Sequence, residues 1–113
     1  MKFKKLEGGL RTQKIKKKRT TKGPLITVIT VVFNNKKYLE ETIQSVLNQT
    51  YQNIEYIIID GGSTDGTLKI IKKFEKKINY WISEKDNGIY DAFNKGLKCA
   101  TGDLIGFVNS DDI

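Results

Sequence analysis

Apolar and β-branched residues run almost unbroken from Leu25 to Phe33, a pattern that predicts a strand covered on both faces. The only proline, Pro24, stands just before it and marks where the folded domain is expected to begin. After Asn34 and Asn35 the period changes. Leu39, Ile43, Val46 and Leu47 recur at helical spacing, with Glu40, Glu41 and Gln44 on the other side. Such a helix is fit to lie on a sheet. The alternation then repeats: residues 54–59 read as a strand, and Asp65 as the cap of a helix that turns Leu68, Ile71 and Phe74 inward. A third strand is predicted over 78–83, a third helix over 88–100 with Ile89, Ala92, Phe93 and Leu97 inward, and a last strand over 104–108. The order β-α-β-α-β-α-β predicts an α/β fold with a largely parallel sheet, because parallel strands need crossover connections.

Composition narrows the classes of function. The 113 residues suit one domain, and 38% hydrophobic with 29% charged content is that of a folded soluble chain. No apolar run approaches the roughly 20 residues that cross a bilayer, and no signal-like segment follows the basic start, so a cytoplasmic location is expected. With one cysteine, Cys99, and no histidine, an internal disulfide, a Cys/His zinc site and a Ser-His-Asp triad are excluded. Cys99 itself reads as a small buried hydrophobe.

The net charge of +7 is local. Residues 1–24 hold ten Lys/Arg and one Glu, which leaves −2 for residues 25–113. The run from Lys14 to Arg19 has two readings: a solvated, mobile leader, which is the simpler, or a patch drawn to phosphates or to the anionic inner face of a membrane. No aromatic residue is interleaved with it to stack on bases, so no nucleic-acid partner is expected.

Ligands of open α/β sheets bind beyond the carboxyl ends of the strands, and three such ends are unusual here. They are Phe33-Asn34-Asn35, then Asp60-Gly61-Gly62-Ser63-Thr64-Asp65-Gly66, then Asn109-Ser110-Asp111-Asp112. The first turn has no glycine, against a dinucleotide site, and Gly66-Thr67-Leu68 lacks the lysine of a phosphate loop. Asp111 and Asp112 are adjacent carboxylates that repel unless a cation or hydrogen-bond donors share their charge. Hard oxygen ligands suit Mg²⁺ or Mn²⁺ completed by a substrate diphosphate, while a polar turn or helix cap is the structural reading of the same pair. Asp60 is fitted to stabilise the Gly61-Gly62 turn or to accept an N–H from a base edge, and Phe33 to flank that base or to join the core.

Taken together, the strand 26–34, the helix segment 39–50 and the block Ile59-Asp60-Gly61-Gly62-Ser63-Thr64-Asp65-Gly66-Thr67 resemble the family 2 glycosyltransferases. The likeness runs from about Leu25 to Ile113. Residues 81–96, followed by Ala100-Thr101-Gly102-Asp103, are similar to members that build bacterial surface polysaccharides. The resemblance implies the GT-A fold and inverting transfer of sugar from a nucleotide diphosphate, with UDP-sugars foremost, to a glycan or lipid-linked acceptor. It implies Phe33, Asn34 and Asp60 at the nucleotide, Asp111 near the ribose, and Asp112 with Asp111 on a divalent metal, Mg²⁺ or Mn²⁺, that bridges the diphosphate. Two positions depart from the family pattern: Gly61 stands where many members carry a second acid, and Phe93 where many carry arginine.

The family's general base lies downstream of the acidic motif, so residues 25–113 are expected to be the donor-binding part of a longer domain, unable to complete transfer alone. Asp86 and Asp91 are explained by loop placement and helix capping rather than as substitute bases. Apolar sheet and helix surface is expected to lack its cover and to favour self-association. The alternative reading is a non-catalytic nucleotide-sugar-binding module or an inactive remnant.

Overall fold

The computed structural model describes residues 5–14 and 23–109. Its elements are β1 (Leu6–Gly8), a 3₁₀ turn (Leu10–Gln13), β2 (Ile26–Val32), α1 (Lys36–Leu47), β3 (Ile54–Asp60), α2 (Thr67–Lys73), a second 3₁₀ turn (Glu75–Lys77), β4 (Tyr80–Ser83), α3 (Ile89–Cys99) and β5 (Leu104–Phe107). The strands form one sheet in the order β1-β4-β3-β2-β5. β4, β3, β2 and β5 are parallel to their neighbours, and β1 runs antiparallel along β4.

The order of the strands dictates where the helices lie. From β2 the chain steps to β3 and then to β4 through α1 and α2; it then returns through α3 to place β5 on the other side of β2. Right-handed crossovers in opposite directions put their helices on opposite faces. The two cores follow that division. Tyr56 and Ile58 of β3 pack with Leu39, Ile43 and Val46 of α1 and Ile71 of α2, whereas Ile57 and Ile59 pack with Ala92 of α3. Ile57, Ile58 and Ile59 have no exposed surface. At about 1.5–3 kcal/mol for each buried aliphatic side chain, β3 is the stiff centre of the sheet.

Sequence and structure differ at four places. The segment 5–14 was expected to belong to a mobile leader, but β1 hydrogen-bonds to β4 and the following turn bonds to Ile78 and Asn79. Its hydrophobic signal is one leucine in three strand residues, too short to register as a strand. Asp65 was expected at the cap position of α2; Gly66 holds that position, and Asp65, one residue earlier, still accepts from the first amide of the helix. Ile89 and Leu97 were expected inward, but both are exposed; α3 meets the sheet through Ala92 and Gly96 instead. Gly96 permits that approach, since a Cβ there would come within 2.7 Å of Ile29 Cγ2. Phe93 does turn toward the sheet edge, packing edge-on against Phe107 at 4.9 Å. Among the described residues, no helix is long and apolar enough to cross a membrane.

Candidate functional site

The strand order reverses between β2 and β5, and ligands of doubly wound sheets settle at the carboxyl ends of the strands beside such a reversal. A cleft of about 790 Å³ opens there. It is walled by Phe33 after β2, Gly61 to Ser63 after β3, Glu84 to Asp86 after β4, and Asn109 after β5.

Phe33 is 62% exposed, so its ring belongs to the cleft and not to the core. Behind it, Asn34 takes a left-handed backbone (φ 47°), a conformation that asparagine tolerates better than most residues. That bend lets the Asn34 amide donate to Ser63 Oγ at 2.7 Å, while Asn34 Oδ1 accepts from the Thr64 amide at 2.8 Å. Asn34 therefore couples the turn after β2 to the turn after β3.

Asp60 ends β3 and is 1% exposed. Its Oδ2 accepts from the Ser63 amide at 3.1 Å and from Ser83 Oγ at 2.7 Å, and its Oδ1 accepts from Ser63 Oγ. The carboxylate takes the turn-stabilising role that the sequence offered beside a base contact: it is turned into the protein, where it fastens the ends of β3 and β4 together. Gly61, Gly62 and Ser63, not Asp60, face the open space.

Besides Glu84, which pairs with Lys95, the acid that lines the cleft is Asp86. Its Oδ1 accepts from the Gly88 amide at 3.1 Å, which is the loop-ordering role expected of it. Its Oδ2 lies toward Gly61, where a Cβ would stand 2.8 Å from that oxygen and 3.3 Å from Phe33 Cδ1. Gly61 thus leaves a bare floor between ring and carboxylate, which gives its departure from the family pattern a physical sense. Sequence pattern assigns Asp86 only that loop role, because a loop aspartate two residues before a glycine looks the same whether or not it faces a ligand.

Neighbouring groups hold this loop. Lys95 of α3 reaches Glu84 Oε1 at 3.2 Å and Asp91 Oδ2 at 3.7 Å, and Asp91 Oδ2 accepts from the Asn87 amide at 2.9 Å. Asp65 plays the matching part on the opposite face of the sheet. Its Oδ2 accepts from the first amide of α1, that of Lys36, at 3.2 Å, and its Oδ1 from the first amide of α2, that of Thr67, at 3.0 Å. The Thr67 hydroxyl foremost, with these amides, holds the Asp65 carboxyl below the usual carboxylate range.

Asp111 and Asp112 lie outside the described residues. Among the described residues no three His, Cys, Asp or Glu side chains are grouped as metal ligands. Asp111 and Asp112, which the sequence offers for a divalent cation, follow cleft-lining Asn109 by two and three residues. Oxygen donors of this kind suit Mg²⁺ or Mn²⁺.

A doubly wound α/β domain with its cleft at the point of strand reversal is the architecture of nucleotide-binding enzymes. The model of glycosyl transferase family 2 matches residues 27–113, and the chain belongs to that family. It is 44% identical over 93 residues to a glycosyltransferase of Mycobacterium tuberculosis, covering 81% of this chain and 36% of that one. TuaG of Bacillus subtilis, whose name assigns it to teichuronic acid biosynthesis, is 41% identical over 92 residues, covering 79% and 36%. Among solved structures, the mannosyltransferase PcManGT of Pyrobaculum calidifontis, in complex with GDP-Man and Mn²⁺, superposes with a TM-score of 0.74 at 26% identity, covering 80% of this chain and 28% of that one. Staphylococcus aureus TarS in complex with UDP-GlcNAc gives 0.68 at 32%, covering 76% and 26%. The fold is that of the GT-A glycosyltransferases, and the chain spans about a third of the length of the curated relatives it matches.

Proposed function

We propose that this chain carries the donor site of a glycosyltransferase that moves a sugar from a nucleotide diphosphate, UDP first among them, to a glycan or lipid-linked acceptor in cell-surface polysaccharide synthesis. One observation carries the reading: in a chain of this family, an exposed aromatic ring and a carboxylate face each other across a side-chain-free floor at the point of strand reversal. Phe33 offers a flat apolar face to the base, and Asp86 Oδ2 is an acceptor for a base-edge N–H. Asp60, Asn34 and Ser63 keep the turn beneath the nucleotide in place. The similarity to structures holding UDP-GlcNAc and GDP-Man supports a nucleotide-sugar donor without fixing the base.

The diphosphate then lies toward Asn109 and the residues that follow. We assign Asp111 to the ribose side and Asp112, with Asp111, to a divalent cation. When bound, such a cation supplies positive charge to the departing diphosphate and lets an acidic rim accept an anionic ligand. The acceptor's proton needs a general base, which we place in a part of the enzyme beyond this chain, so residues 1–113 alone bind donor without transferring sugar by inversion. We place the enzyme in the cytoplasm, with the inner face of the membrane as a second setting.

Calorimetry of the chain with UDP, and separately with GDP, each with Mn²⁺, tests this. Phe33→Ala and Asp86→Ala are each expected to weaken binding roughly tenfold while the chain stays folded, since each removes one stacking or hydrogen-bond partner at an open surface. Variants that bind either nucleotide as well as the wild type would sink the assignment.

A further inference from the structure

The segment before β2 lies outside the part of the chain matched by the family model, which begins at residue 27. It nevertheless reaches the cleft. Leu6 lines it, pairs with Ser83 across the β1–β4 ladder, and packs against the core beneath α1 and α2. Ser83 in turn donates to Asp60 Oδ2 at 2.7 Å, so the ladder ends on the residue that organises the rim.

From that end the strap runs down the edge of β4 to the opposite end of the sheet. Gly8 lies flat on Trp81, where a Cβ would come within 2.5 Å of Nε1, and Gly9 (φ 95°) makes the bend that follows. The Leu10 and Arg11 amides then donate to the Ile78 and Asn79 carbonyls at 2.9 and 2.7 Å. Arg11 supplies the anchor. Nη2 donates to buried Glu55 Oε2 at 2.9 Å, Nη1 to the Cys99 carbonyl at 3.0 Å, and the guanidinium stands 5.2 Å from the centre of the Tyr80 ring. Tyr80 closes the loop by donating to Glu7 Oε2.

We propose that the strap Leu6–Gln13 is a working part of the donor cleft, with Leu6 as one of its walls and Arg11 as the remote positioning residue that keeps that wall seated. This rests on the donor-site reading above. A strand of three residues has too few ladder bonds to stay paired unaided, and a charge-assisted clamp at its far end supplies what the ladder lacks. Arg11 touches no ligand; its influence passes through β1 to Leu6 and Ser83.

The test uses the full chain with UDP and Mn²⁺ as the probe, and compares wild type, Arg11→Ala, Arg11→Lys and Leu6→Ala. Strap seating is read without nucleotide, from hydrogen exchange of the Leu10 and Arg11 amides and from the alkylation rate of Cys99, the one thiol in the chain. Arg11→Ala is expected to speed both roughly tenfold while amides of β2 and β3 keep their protection, with Arg11→Lys in between. UDP affinity should fall several-fold, roughly three to ten, in Arg11→Ala and in Leu6→Ala, although Leu6→Ala leaves the anchor intact. Full protection of the strap in Arg11→Ala would overturn the anchor. A released strap with unchanged UDP affinity, or a silent Leu6→Ala, would overturn the wall. Wild-type chain that binds neither UDP nor GDP would fell the donor-site reading and the wall with it, while the exchange data still judge the anchor.

Discussion

β3 carries a buried acid at each end, and the two are treated in opposite ways. Glu55, 3% exposed near its start, faces α3; Asp60, 1% exposed at its finish, faces α1 and α2. Glu55 receives the hydroxyls of Thr27 and Thr101, the Thr101 amide, and the Arg11 guanidinium. Asp60 receives two serine hydroxyls and one amide, and among the described residues no lysine or arginine pairs with it. A fully neutralised acid fixes structure. An acid held by neutral donors alone shapes a turn at the rim, where Asp86 and Asn109 line the cleft. The closed end of the sheet is thus pinned by a charge pair, and the open end by hydrogen bonds from neutral donors at the rim where we propose that the donor binds.

The sharpest break of this contrast is Glu55→Ala. It strands Arg11 beneath the sheet and leaves Thr27, Thr101 and the loop to β5 without their common acceptor, at an expected cost of about 3–5 kcal/mol in urea unfolding. The effect should depend on pH in a definite direction. Burial alone would raise the Glu55 carboxyl, but the Thr101 hydroxyl and amide, the Thr27 hydroxyl and the Arg11 charge reverse that and hold it below its ordinary value of 4.5. A depressed acid stabilises fully above its ordinary value and loses that contribution as pH falls through the depressed one. The stability gap between wild type and Glu55→Gln should therefore be widest near neutrality and shrink on acidification below about pH 4.5. A gap that grew instead would show that Arg11 and the threonines do not hold the charged form.

At the other end, Asp60→Ala should cost less in stability, about 1–3 kcal/mol, because it abandons neutral hydrogen-bond donors and no ionic partner. It should cost more in function. With Ser63 and Ser83 released, the turn under the nucleotide loses its shape, and UDP binding in calorimetry should fall at least tenfold, roughly the value of one charge-assisted hydrogen bond. Unchanged UDP affinity in a folded Asp60→Ala chain would show that the rim does not depend on its buried acid.

These two acids also mark how far the sequence is legible. The alternation of periods exposed β2 to β5 and the three helices because each buries whole faces, and long apolar runs such as 54–59 carry that signal locally. The convergence of Phe33, Asn34 and Asp60 on one rim followed from the same alternation, since strand ends in parallel order share an edge. Direction within the rim did not follow. Whether Asp60 or Asp86 meets the open space depends on Ser83, a residue 23 positions away whose hydroxyl draws Asp60 inward. Glu55 likewise carries no signal of its own within the strand 54–59, because its partners Arg11 and Thr101 lie 44 and 46 residues distant. β1 was hidden for a different reason: a three-residue edge strand paired on one side needs no apolar pattern of its own, only the Gly8-Gly9 pair that lets it lie against Trp81 and Ile78.

The smallest expected effect tests whether burial, rather than charge pairing as such, separates the two ends. Lys73 of α2 reaches Glu40 of α1 at 3.1 Å, nearly the distance of the Arg11–Glu55 pair, but the two side chains are 60% and 40% exposed. In water the Coulomb gain is small and is largely offset by the entropy of fixing two long side chains. Lys73→Ala should therefore change stability by about 0.5 kcal/mol or less, and 1 M NaCl should erase even that, because the screening length there is only about 3 Å. The same salt should leave most of the Glu55→Ala deficit in place, since the buried pair is reached by little solvent. If both deficits vanished together in salt, the stability of the closed end would come from simple charge attraction, and the distinction between a neutralised acid and a hydrogen-bonded one would lose its physical basis.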